Sequence, residues 1–137
     1  MSHIRKATIR IDFDIGVRLG PGKAQLMELI EEHGSIRAAG ASIGMSYRRA
    51  WLLADEINRM FREPSISTRH GGKSGGGAGL TEFGQEMLKR YRRVEAAMRA
   101  AAEDDLDWLS GHIDPDFKPT EKKNDSNVLT PDQPVPS

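Results

Sequence analysis

The chain has 137 residues, no cysteine, 37% apolar residues and eight aromatics, which suits one domain around a single small core. No apolar run approaches the ~20 residues that span a bilayer, and no hydrophobic stretch follows Met1, so membrane insertion and secretion are disfavoured and a cytoplasmic protein is expected. The formal net charge of zero hides an uneven distribution: Ser35 to Arg93 carries 11 basic and 5 acidic residues, net +6, while Glu103 to Ser137 carries 3 and 9, net −6.

In chain order, Ala7 to Leu19 alternates, with Ile9, Ile11, Phe13, Ile15 and Val17 on one face and Arg10, Asp12, Asp14 and Arg18 mostly on the other. A period of two predicts a β-strand with one buried side. Gly20-Pro21-Gly22 ends it, and Lys23 to His33 places Leu26, Met27, Leu29 and Ile30 at helical spacing before Gly34 supplies a C-cap. Ser35 caps a second helix over 36–43, whose small residues Ala38, Ala39, Gly40 and Ala41 let another helix approach closely. Gly44 makes a turn, and Ser46 caps a third helix to about Arg62. Its apolar stripe is Ala50, Leu53, Ala54, Ile57, Met60 and Phe61; the opposite face carries Tyr47, Arg48, Leu52 and Asp55.

Pro64 stops that helix, 65–69 reads as a strand, and residues 71–79 hold six glycines, which fits a hairpin with a mobile tip. Thr81 caps a long fourth helix in which Met87, Tyr91, Val94, Met98 and Ala101 recur at heptad-like steps, the pattern of a dimerisation seam. After Gly111 come five prolines and little apolar content, so 111–137 is predicted to be a disordered, acidic, Pro-rich tail, leaving 1–110 as the folded domain.

This order of elements is that of a winged helix-turn-helix, mainly α with a small β component and a long C-terminal dimerisation helix, and its natural partner is double-stranded DNA. Arg48 and Arg49 open the third helix, where an arginine fork meets a guanine edge; the bland reading is two solvated charges. Tyr47 suits a phosphate, base or sugar contact, or merely covers the helix start. Trp51 falls between the core and groove faces, where a partly buried packing role competes with a groove role. Lys73 rides on the glycine hairpin, where an ammonium approaches phosphate unhindered.

Enzymatic readings find little support. Gly72-Lys73-Ser74 resembles the end of a P-loop, but position 67 is Ser where that motif needs Gly, and glycines follow where it needs a helix. His3, His33, His70 and His112 show no metal-ligand spacing, and neither a catalytic constellation, a metal site nor a cofactor is expected.

Gly44-Met45-Ser46-Tyr47-Arg48-Arg49-Ala50-Trp51 together with Gly71-Gly72-Lys73-Ser74-Gly75-Gly76-Gly77-Ala78-Gly79-Leu80-Thr81 resembles the N-terminal domain of ModE-type molybdate-responsive transcription regulators, which are LysR-like, over roughly residues 4–110. The resemblance implies a homodimer and control of molybdenum transport or molybdoenzyme genes. Members of that family bind molybdate in a separate C-terminal domain of two small β-barrel modules, and the tail here offers no such segment, so molybdate is not an expected ligand of this chain. On this reading Ser46, Tyr47, Arg48 and Arg49 enter the major groove, Arg37 and Arg69 sit near phosphates, and Lys73 anchors the wing. The alternative is a winged helix that binds a protein and not DNA; salt-dependent duplex affinity separates the two.

Overall fold

The computed structural model describes residues 6–69 and 77–120. Lys73, His3, His70 and the tail beyond position 120 lie outside the described residues.

The single strand expected over Ala7–Leu19 is instead a small hairpin. Strand β1 (Ile11–Asp12) pairs antiparallel with β2 (Arg18–Leu19), matching Ile11 with Leu19 and Asp12 with Arg18. The chain reverses at Asp14–Gly16, where Ile15 has φ +56° and Gly16 +84°, and the Phe13 amide donates to the Val17 carbonyl at 2.8 Å. Two consecutive left-handed residues are what a tight hairpin turn needs. The turn breaks the period of two, so Ile15 is 97% exposed where alternation places it in a core.

Helix α1 (Pro21–His33) starts two residues before the predicted Lys23, because Pro21 fits the first helical turn, where no amide donor is needed. It buries Ala24, Leu26, Met27 and Ile30 at the centre of the core. Ser35 caps α2 (Ile36–Ser42) by accepting the Ala38 amide at 3.0 Å. Gly44, at φ +70°, turns the chain into α3 (Tyr47–Met60), whose Ser46 cap accepts the Arg49 amide at 3.1 Å. The close approach inferred from the small residues of α2 is present: a Cβ on Gly40 would stand 2.8 Å from that of Ala50.

Helix α3 stops at Met60, slightly before the predicted end, as Phe61 turns extended and packs between Phe13 and Phe83. Strands β3 (Ile66–Arg69) and β4 (Gly77–Leu80) form the wing, pairing Ile66 with Leu80 and Arg69 with Gly77. Asn58 ties the wing to α3: its Oδ1 accepts the amides of Ser65 and Ile66 at 2.9 and 2.8 Å, and its Nδ2 donates to the Ile66 carbonyl at 2.9 Å. The Ala78 amide donates to the Gly34 carbonyl at 2.8 Å, which fixes the wing against the end of α1. Thr81 caps α4 (Glu82–Ala101) through the Gly84 amide, and its hydroxyl donates to the Pro64 carbonyl at 2.7 Å.

The predicted seam divides in two. Met87 and Tyr91 are 8% and 2% exposed, buried in the chain's own core, where the Tyr91 hydroxyl donates to the Ile9 carbonyl at 2.6 Å. Little of either side chain is left exposed to meet a second copy. Val94 and Met98 are 40% and 50% exposed, and Ala101 is also exposed. A further helix, α5 (Glu103–Gly111), follows a break at Ala102 that the sequence did not reveal; Glu103, Asp104 and Asp105 in its first turn suit the positive end of the helix dipole.

Candidate nucleic-acid interface

The first turn of α3 presents Ser46, Tyr47, Arg48 and Arg49, all exposed. Ala50, Ala54 and Ile57 hold the opposite side of the helix in the core. At 3.6 residues per turn this fixes the outward stripe as Arg48, Leu52, Asp55 and Arg59. Arg37, on the first turn of α2, brings its guanidinium 4.1 Å from the centroid of the Tyr47 ring. The helix-turn-helix thus gathers Arg37, Tyr47, Arg48 and Arg49 at one end of α3. Arg69 stands apart, exposed on the wing at the end of β3 that leads into the glycine segment.

Ion pairing divides the described arginines into two groups, and Arg62, Arg93 and Arg99 share the unpaired state with those gathered at α3 and on the wing. Arg10, Arg18, Arg59, Arg90 and Arg92 all make ion pairs, Arg59 with Asp55 at 3.0 Å and Arg92 with both Glu28 and Glu95. Among the described residues, Arg37, Arg48, Arg49 and Arg69 meet no carboxylate at salt-bridge distance. Since the Arg59 pair neutralises Asp55 nearby, the exposed start of α3 keeps a net positive field, suited to an anionic partner.

Trp51 is 47% exposed on the flank of α3, between the two roles its sequence position allowed. Leu52, 55% exposed, is an apolar side chain on the polar side of the helix. Periodicity puts it there, but charge-based reasoning gives it no role. Among the described residues, no group of three His, Cys, Asp or Glu is placed to hold a metal ion, and no helix is long and apolar enough to cross a membrane.

A helix-turn-helix followed by a two-stranded wing and a closing helix makes this a winged helix-turn-helix protein. No family model matches the chain. It is 35% identical over 107 residues to the molybdenum transport protein ModE of Azotobacter vinelandii, covering 78% of this chain and 38% of the relative. It is 34% identical over 84 residues to the molybdenum-pterin-binding protein MopA of Rhodobacter capsulatus, covering 61% and 32%. The DNA-binding transcriptional dual regulator ModE of Escherichia coli is 35% identical over 71 residues, covering 52% and 27%. Over the segment they share, the chain is homologous to ModE regulators and to the Mop proteins. The alignments reach only about a third of the length of these relatives.

Proposed function

We propose that this chain is the DNA-reading part of a transcription regulator acting on molybdenum transport or molybdoenzyme genes. The observation that carries the proposal is the set of unpaired arginines around the first turn of α3, with Arg37 stacked on Tyr47. Arginines free of protein carboxylates are available to phosphate and to base edges, and the first turn of a second helix in this motif is where base contacts are made. In this reading Ser46, Tyr47, Arg48 and Arg49 meet the major groove, Arg37 and Arg69 meet phosphates, and Lys73 serves the wing. The link to molybdenum comes from the names of the relatives. Two copies would pair through Val94, Met98 and Ala101 on α4, so that two α3 helices address the two halves of one site.

The test is selection of duplexes from a randomised library by the 137-residue chain, followed by affinity measurements on the selected duplex at several salt concentrations. Affinity should fall steeply with salt, because each neutralised phosphate releases counterions. A chain that selects no sequence and shows no salt-dependent duplex affinity is a protein-binding winged helix instead.

A further inference from the structure

Resting on the reading of α3 as the helix that enters the groove, we propose that Leu52 recognises the 5-methyl group of a thymine. Leu52 is 55% exposed and lies on the stripe opposite Ala50, Ala54 and Ile57, so it contributes nothing to the core of its own chain. It stands one turn beyond Arg48, on the same side of the helix.

Two properties of the surroundings select the occupant. Arg48 and Arg49, four and three residues before Leu52, are free of carboxylates among the described residues. An apolar protein partner covering Leu52 would have to strip water from those guanidinium groups without replacing its hydrogen bonds, which is costly. A duplex instead gives guanidinium groups phosphates and guanine edges, and its major groove holds one apolar group per A·T pair, the thymine methyl. The chemistry of an outward leucine beside unpaired arginines is thus matched by a mixed G·C and A·T element. Four residues of α-helix advance roughly 6 Å, and base pairs rise about 3.4 Å. The thymine should therefore fall within about two base pairs of the guanine read by Arg48.

The experiment uses the duplex that the 137-residue chain selects from a randomised library. Each thymine is replaced in turn by deoxyuridine, which pairs identically and lacks only the 5-methyl group. At one position per half-site the replacement should weaken binding about fourfold, as the loss of one buried methyl group predicts. Leu52→Ala and Leu52→Gln should weaken binding to the thymine duplex and be indifferent to uracil at that position, whereas Arg48→Ala should keep the uracil sensitivity. Two Leu52 variants are used because both residues favour helix and one retains length; circular dichroism melting should match the parent for at least one. If no uracil duplex binds more weakly, or if the Leu52 variants keep the full uracil effect, the proposal is overturned while salt-dependent DNA binding stands. If the parent chain shows no salt-dependent duplex binding at all, the DNA reading and this inference fall together.

Discussion

The Arg37 guanidinium lies over the Tyr47 ring, 4.1 Å from its centroid, and so joins the first turn of α2 to the first turn of α3. At an exposed site such a contact is worth about 0.5–1 kcal/mol, enough to orient both side chains without burying either. Arg37→Ala should lower affinity for every duplex alike, reduce the salt slope by about 1 per subunit, and leave sequence preference unchanged. Salt titrations on selected and random duplexes check this. A changed ranking of duplex sequences would make Arg37 a base reader.

Two glycines hold the frame that presents α3. A Cβ on Gly84 would lie 2.1 Å from the Ser65 carbonyl oxygen, a backbone atom held by the Asn58 and Thr81 network, so Gly84→Ala has to push α4 off the wing. A loss on the order of 3 kcal/mol is expected, at the upper end for overpacking. Gly40→Ala, facing the Ala50 methyl at 2.8 Å, should cost about 1–3 kcal/mol by parting α2 from α3. Gly22 in α1 has open space around it, so Gly22→Ala should stabilise by about 0.5–1 kcal/mol. Denaturant midpoints of the three variants give the comparison, and equal effects would refute this account of the packing.

In the proposed dimer, the exposed half of the seam forms the contact. Val94→Asp with Met98→Asp should yield a folded monomer, because neither side chain is needed in the chain's own core. Met87→Asp should unfold the chain, since it places a charge where a methionine is 8% exposed. Sedimentation together with circular dichroism separates the outcomes. A parent chain that is monomeric at tens of micromolar would remove the dimer from the proposal.

Burial of Tyr91 raises its hydroxyl pKa above the usual value of 10.0, and the nearby Glu95 charge adds to the shift. A folded pKa above the unfolded one means the native state holds this proton more tightly. The associated stability is complete below pH 10 and disappears as pH climbs through the folded value. Tyr91→Phe should lose about 1 kcal/mol at neutral pH with the hydrogen bond to Ile9 and should melt with less alkaline sensitivity than the parent. Thermal melts at neutral pH and above pH 10 test this. An unchanged alkaline slope in the variant would assign the effect to other groups.

The helix-turn-helix was legible because its signals are local: Ser35 and Ser46 cap through their own third-following amides, and Gly34 and Gly44 adopt left-handed turns. The wing was legible from Pro64 and the glycines, although the Asn58 clamp joins residues seven and eight positions apart and no short motif announces it. Two periodic patterns share one limit. Alternation from Ile9 to Val17 and heptad spacing from Met87 to Ala101 each continue past the point where the fold changes their meaning, at the Ile15-Gly16 turn and where α4 leaves the core after Tyr91. Periodicity gives the face a residue occupies, but not whether that face meets this chain, another chain or water. The same limit applies to Leu52, whose place on the outward face was evident while what that face meets was not.

Arg48 carries the most direct test of the proposed interface. The Ser46 cap fixes the start of α3, and Arg48 follows on its outward stripe with no carboxylate partner among the described residues. Its fork is thereby available to the two acceptors of a guanine edge, so Arg48→Ala should cost ~1 to 3 kcal/mol and relax preference at one base pair per half-site. Lys73, assigned to phosphate from the sequence, should behave differently: Lys73→Ala should weaken all duplexes alike and shallow the salt slope by about 1 per subunit. Affinities for the selected duplex, its point variants and random duplex, each at several salt concentrations, distinguish the two patterns. An unchanged ranking of point variants after Arg48→Ala would show that the first turn of α3 does not read bases. If neither substitution alters duplex binding, the unpaired arginines serve another anionic surface, and the winged helix is better read as a protein-binding module.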